Sequence, residues 1–292
     1  MNGWPNISEL LLNDGENVPI GLLGVPLAVG SVTPGACDQA PALLRQTLKR
    51  IGRYDVETQR SVSTPILDRG DVQLGGLSIE AAAGPIGDAV KASVNQHSLT
   101  FLVGGNNAIT RPAVLAMGDL SKVGLITLDA HFDMRDLDHG LSNGNPVRAL
   151  IKDGLPGKNI AQIGLAAFAN TEKMHRDAIA AGNLLVTIDQ VRRDGIQKAV
   201  ELAIEHTRHC ETLVIDCDIA VIDRSQMPGA PGARPGGMRV ADFYWAVRSL
   251  ASQHRTRVID LTEWDPSLDP TDVSALTAAR WVAECIAGFE AR

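Results

Sequence analysis

The chain has 292 residues, of which 45% are hydrophobic and 21% charged; this suits a globular protein with a sizeable core and excludes disordered and fibrous classes. Its formal net charge of −7 speaks against a general nucleic-acid binder, which needs a basic face to neutralise phosphates. No apolar run approaches the roughly 20 residues of a membrane helix, and the opening MNGWPNISELLLNDGENVP lacks the basic start of a leader, so a cytoplasmic protein with no membrane or nucleic-acid partner is expected.

Short aliphatic runs alternate with helical patterns along the chain. PIGLLGVPL (19–27) reads as a strand, and CDQAPALLRQTLKRI (37–51) as the helix after it, with Leu43, Leu44, Leu48 and Ile51 at helical spacing. LSIEAAAGPIGDAVKASV (77–94) reads as a helix, LTFLVGG (99–105) as a strand, ITRPAVLAMG (109–118) as a helix and KVGLITLDA (122–130) as a strand. NIAQIGL (159–165), LLVTIDQV (184–191), ETLVIDCD (211–218) and RVIDLTEW (257–264) are further expected strands, with helices near 172–182, 195–208, 239–253 and 273–290. Runs that are apolar throughout are buried on both faces. They predict about seven or eight strands in a large, mostly parallel sheet between two helix layers, a three-layer αβα architecture. No linker or repeat divides residues 1–292, so one domain is expected.

Cys37, Cys210, Cys217 and Cys285 form no CxxC pair and read as reduced, buried residues. His206 and His209 read as surface histidines rather than a zinc site. GLLGVPLAVG (21–30) lacks both GxGxxG and a Walker lysine, which disfavours nucleotide binding.

Ligands on open parallel sheets bind at the carboxyl ends of strands. Four of the expected strands end in polar clusters there: Asn106 and Asn107, DAHFD (129–133), DCD (216–218), and Glu263 with Asp265. Spacing by two puts Asp129, His131 and Asp133 on one side of an extended chain, and Asp216 and Asp218 likewise. Four carboxylates packed together need counter-charge, and a pair of divalent cations supplies it. An oxygen-rich set with one imidazole suits Mn²⁺ or Mg²⁺ better than Zn²⁺, and Mn²⁺ is the first choice. PGAPGARPGG (228–237), directly after the DCD strand, reads as a structured loop at the rim of this site.

The motifs resemble those of the ureohydrolases, the family of arginase, agmatinase and formimidoylglutamase. GSVTPGACDQAPALLR (30–45) is similar to the family's glycine-rich loop and GPxxLR helix, and DRGDV (68–72) to its D-x-GD segment. GGNNAIT (104–110) is similar to GGDHS, LDAHFD (128–133) matches DAHxD, and SNGNP (142–146) lies where the family has HGxP. VIDCDIAVIDRSQMPGAPGARPGG (214–237) resembles DxDxxDPxxAPGxGTPxPGG, and LTEWDPSLDPTDVSALTAARWV (261–282) the closing E-x-NPxxD helix. The resemblance implies an arginase-like fold, two Mn²⁺ per subunit and a trimer or hexamer. It also implies that Asp129 and Asp216 bridge both metals, that His131 and Asp218 complete one shell, that Asp133 belongs to the other, and that Glu263 meets the cationic guanidino group of a small substrate.

Two positions depart from the family pattern. Asn107 stands where the family has a metal-binding histidine; as a weaker ligand through its carbonyl oxygen, it is expected to weaken one metal site. Asn143 stands where HGxP has its histidine, and an amide cannot transfer protons. His139, four residues earlier, is the candidate substitute, although an exposed loop histidine is an equal reading. Asp133 is a candidate proton carrier, and Arg135 a candidate contact for a substrate α-carboxylate, against a surface salt bridge. These departures lead to the expectation of an N-omega-hydroxy-L-arginine hydrolase giving L-ornithine and hydroxyurea, as in D-cycloserine biosynthesis. Arginase, agmatinase and formimidoylglutamase activities are alternatives, and a non-catalytic binding scaffold is the reading from another class.

Overall fold

The computed structural model describes residues 4–292; the reading of the opening segment as no leader falls partly on residues 1–3, outside the described residues. In chain order the elements are β1 (Leu11–Leu12), β2 (Ile20–Val25), α1 (Ala40–Thr47), β3 (Tyr54–Asp55), β4 (Arg60–Ser61), β5 (Ile66–Asp71), α2 (Ile79–Gln96), β6 (Leu99–Gly104), α3 (Thr110–Leu115) and β7 (Val123–Leu128). There follow α4 (Pro146–Asp153), β8 (Ile160–Leu165), α5 (Glu172–Ala181), β9 (Leu184–Thr187), α6 (Ile188–Asp194), α7 (Ile196–His206), β10 (Thr212–Asp218), α8 (Val240–Ala251), β11 (Thr256–Thr262) and α9 (Val273–Phe289).

Nine strands form one sheet in the order β1-β5-β2-β6-β11-β10-β7-β8-β9, and every pairing in it is parallel. β3 and β4 make a separate antiparallel pair. Alternate residues of each central strand serve two cores. Leu213, Ile215 and Cys217 of β10 pack with Leu44 of α1, Phe243 and Val247 of α8 and Trp281 of α9. Val214 packs on the opposite face with Ile86 of α2, Ala113 of α3 and Val147 of α4. Helices therefore cover both faces, the three-layer αβα fold anticipated from the uninterrupted apolar runs.

The sheet has nine strands rather than seven or eight because the two-residue β1 and the polar β5 (ILDRGD) carry too weak an apolar signal. The segment 184–191 is strand only to Thr187. There Thr187 caps α6, accepting from Gln190 N–H (3.2 Å) while the Gln190 side chain accepts from Thr187 N–H (2.7 Å), a capping box that turns the chain into a helix. The four cysteines are free and buried. His209 is exposed and pairs with Asn159 Oδ1, while His206 is half-buried. Among the described residues no helix is long and apolar enough to cross a membrane.

The four strands with polar ends, β6, β11, β10 and β7, are consecutive neighbours in mid-sheet. Parallel pairing puts all their carboxyl ends on one edge, so residues more than 150 positions apart meet.

Candidate metal centre

Each strand end reaches the site through a sharp change of backbone direction. β6 runs into Gly105, where an added Cβ would stand 2.0 Å from the Leu27 carbonyl oxygen; only glycine lets the two backbones pass and Asn106 N–H reach Leu27 O (2.8 Å). Gly105→Ala is expected to destabilise the protein by roughly 2–3 kcal/mol through this overpacking, read as a lower denaturation midpoint. An unchanged midpoint would contradict the close approach.

β7 stops at Leu128, so DAHFD is not the extended segment its spacing suggested. Asp129 Oδ1 instead accepts from His131 N–H (2.9 Å) and lies 3.3 Å from His131 Nδ1. Asp133 takes a left-handed φ of 52°, a conformation strained for a residue with a side chain. The loop is clamped by Asn170, whose Oδ1 accepts from Phe132 N–H (2.9 Å) and whose Nδ2 donates to Ala130 O (2.9 Å). Asp218 ends β10 and accepts from Ala220 N–H (2.8 Å). Glu263, after β11, also has a left-handed φ of 63° and donates its N–H to Gly105 O (2.9 Å).

These turns gather one ligand atom each from Asp129, His131 and Asp218 within 4.8 Å of one another. Asp133 and Asp216 lie beside this trio, linked by Asn107, whose Nδ2 donates to Asp133 Oδ2 (2.5 Å) and Asp216 Oδ2 (3.4 Å). Asn107 is fully buried. Its Oδ1 accepts from Thr110 Oγ1 (2.9 Å) and Thr262 Oγ1 (3.0 Å). The amide oxygen faces two hydroxyls, and its NH₂ faces the carboxylates that want a donor.

Glu263 Oε1 accepts from Asn107 N–H (2.6 Å) and from Asn143 Nδ2 (2.9 Å), while Asn143 Oδ1 accepts from Val32 N–H (2.7 Å). Asn143 is therefore a clamp on Glu263. His131, Asp133, Asp218, Glu263, Asn143 and Arg135 all line one cavity of about 190 Å³. His139 is exposed and does not line it. Asn107, Asp129 and Asp216 are buried and do not line it. Pro231, Gly232 and Arg234 of the loop after β10 border it.

A sixth carboxylate, Asp260 inside β11, was not anticipated. Register places it opposite Asp216; it accepts from Cys217 N–H (3.1 Å), and its Oδ2 lies 3.0 Å from Thr110 Oγ1, whose one proton goes either there or to Asn107 Oδ1. Period-two spacing from Asp260 to Thr262 hinted at it, but only the register shows that it stands behind Asp216.

The centre is electrostatically stressed. Burial, and then Asp129, push Asp133 and Asp218 well above the usual aspartate range. Burial, and then Asp260 and Asp129, do the same to Asp216. Burial raises Glu263 and lifts Asp260 to about 7. Burial would lower His131, but the hydrogen bond and charge of Asp129 outweigh it and raise its pKa. Asp216 Oδ1 is buried with no hydrogen-bond partner, an orphaned acceptor among like charges. Desolvated carboxylates with an orphaned oxygen and one imidazole fit hard divalent cations, which would supply the missing positive charge.

A model of the Arginase family matches residues 18–288. The chain belongs to the arginase family. Among relatives of this arginase-family chain, the formimidoylglutamase of Bacillus subtilis (strain 168) is 27% identical over 293 residues, spanning 97% of this chain and 92% of that protein. The crystal structure of formimidoylglutamase from Bacillus subtilis subsp. subtilis str. 168 superposes with a TM-score of 0.93 at 26% identity, covering 99% of this chain and 93% of that one. The crystal structure of Trypanosoma cruzi formiminoglutamase with Mn²⁺₂ gives a TM-score of 0.91 at 23% identity, with 99% of both chains covered, a likeness of fold.

Proposed function

We propose that this arginase-family hydrolase is a formimidoylglutamase, which converts N-formimino-L-glutamate and water into formamide and L-glutamate. The observation that carries the reading is the acidic cluster of Asp129, His131 and Asp218, with His131, Asp133, Asp218 and Glu263 lining one small cavity and Asp216 buried beside them. The names of its relatives support the formimino group as the reacting end, ahead of the hydroxyguanidine of hydroxyarginine. The cradle residues would hold two Mn²⁺, which supply Lewis-acid activation of water when bound.

The protein's own groups do the rest. Glu263, fixed by two donors on Oε1, orients the cationic amidine by charge and hydrogen bonding. Burial of the cradle keeps bulk water out, which strengthens each of these contacts. The water oxygen bonds to the formimino carbon, the bond from that carbon to the glutamate nitrogen breaks, and that nitrogen takes a proton. Asp133, which lines the cavity, is assigned to carry it. His139 gains no such role, because it lies outside the cavity lining.

Product analysis by mass spectrometry tests the proposal, using Mn²⁺-supplemented protein with N-formimino-L-glutamate, N-omega-hydroxyarginine, arginine and agmatine in separate reactions. Formamide with L-glutamate is the expected dominant outcome. Hydroxyurea with ornithine in excess, or silence on N-formimino-L-glutamate in protein carrying two Mn²⁺, would overturn it.

A further inference from the structure

The side-chain amide of Asn107 lies in a dry slot between two kinds of partner. On one side stand the carboxylates of Asp133 and Asp216, on the other the hydroxyls of Thr110, which opens α3, and Thr262, which ends β11. Asn107, Thr110, Thr262 and Asp260 are all buried, so no solvent replaces a missing partner. The backbone of Asn107 is held separately, by its N–H on Glu263 Oε1 (2.6 Å). The amide can therefore turn about its Cβ–Cγ bond without moving the chain. Its oxygen and nitrogen fill nearly the same volume, so hydrogen bonding, not shape, selects the face it shows.

The protons of the two hydroxyls make that selection conditional, because a hydroxyl has one proton to give and lone pairs that accept. In this structure the amide oxygen faces the threonines. Thr262 donates to it (3.0 Å), and Thr110 has a single proton for both Asn107 Oδ1 (2.9 Å) and Asp260 Oδ2 (3.0 Å). With the amide reversed, its two N–H groups donate to the two hydroxyls and Thr110 turns its proton to Asp260. That resolves the competition at Thr110, but it sets the amide oxygen against Asp133 and Asp216, acceptor against acceptor. Carboxylates alone thus hold the NH₂ toward themselves. A hard cation beside them reverses the preference, since it attracts a carbonyl oxygen and repels N–H protons.

We propose that Thr110 and Thr262 are positioning residues, a hydroxyl pair that pairs with either face of Asn107 and so lets the amide reverse when a divalent cation enters the acidic cluster. The inference rests on the reading of this cluster as a metal centre and goes beyond it by naming the residues that adapt it to the ion. An aliphatic side chain in place of a hydroxyl leaves one N–H of the reversed amide unpaired, whereas the unreversed oxygen keeps its other donor. Loss of a hydroxyl therefore penalises the cation-bound state more than the cation-free one.

The test titrates metal-stripped wild-type, Thr262→Val and Thr262→Ser proteins with Mn²⁺ by calorimetry. Valine keeps the shape and removes the hydroxyl; serine keeps the hydroxyl and removes a methyl group. Thr262→Val is expected to weaken binding of at least one Mn²⁺ by about tenfold, as for one buried donor left unpaired. Thr262→Ser should bind Mn²⁺ like wild type even though its void lowers the melting temperature. In an Asn107→Ala background, where no amide remains, adding Thr262→Val should change the affinity by less than about twofold. Unchanged affinity in Thr262→Val, a larger loss in Thr262→Ser, or the same loss with and without the amide would overturn the proposal. The readout is metal affinity and not turnover. Protein that binds Mn²⁺ but leaves N-formimino-L-glutamate intact contradicts the formimidoylglutamase reading alone, and the valine and serine results still decide the hydroxyl pair; a chain that binds no Mn²⁺ overturns both.

Discussion

Asp216→Asn is expected to make the metal-free protein more stable and catalytically dead. Asp216 is fully buried, faces Asp260, Asp129 and Asp133, and keeps Oδ1 without a partner. An amide of the same shape removes a desolvated charge, lets its NH₂ donate toward Asp260, and keeps an oxygen for Asn107. Removing an uncompensated buried charge is worth several kcal/mol, and each kcal/mol moves the melting temperature of a chain of this size by roughly 2–4 °C. The same change takes away a ligand that is expected to bridge both cations. kcat/KM should fall by roughly a thousandfold or more, the rate equivalent of the several kcal/mol a bound cation contributes. Calorimetry of metal-free protein at pH 8, with an activity assay in Mn²⁺, reads both halves. A lower melting temperature, or retained activity, would contradict the account.

The second large effect is the pH dependence of metal-free stability. Asp133, Asp216, Asp218, Asp260 and Glu263 bind protons more tightly folded than unfolded. Above about pH 4, where unfolded carboxyls ionise, the folded chain carries more protons, so stability falls as pH rises. For Asp260 the loss runs from 3.8 to about 7, on the order of 4 kcal/mol once it is ionised. His131, also raised, has the same sign, its contribution being lost as pH rises above 6.5. Asp55 and Asp269 are lowered and have the opposite sign, but their effect is confined below the ordinary aspartate range. Metal-free protein should therefore melt lower at pH 8 than at pH 5.5, and Mn²⁺ should raise the melting temperature more at pH 8, since its ligands must be deprotonated. A metal-free melting temperature that rises over this window would contradict the assignment.

What could be read from the residues was whatever local pattern determines. Aliphatic runs such as GLITL and LVI mark buried parallel strands because both faces are covered, and DAHFD with DCD marked by residue type where the buried acidic cluster lies. The capping box of Thr187 and Gln190 was equally visible and would have ended β9 at the right place. Asp260 was hidden because its meaning lies in the register between β10 and β11, which no local spacing encodes. The orientation of the Asn107 amide depends on Thr110, Thr262, Asp133 and Asp216 together, so its donor face toward the carboxylates could not be foreseen. Asn170 clamps the loop after β7 from a segment whose course is set by packing. Period-two reasoning brought Asp129, His131 and Asp133 together for the wrong reason: they converge by a turn at the end of β7, not by the pleat of a strand.

The most direct test of the central claim is the number of Mn²⁺ ions retained per chain by metal-stripped protein after reloading and gel filtration at pH 8, counted by elemental analysis. The account predicts two, with Asp216→Asn falling below two. A wild-type chain that retains none would contradict the reading of this acidic cradle as a metal centre.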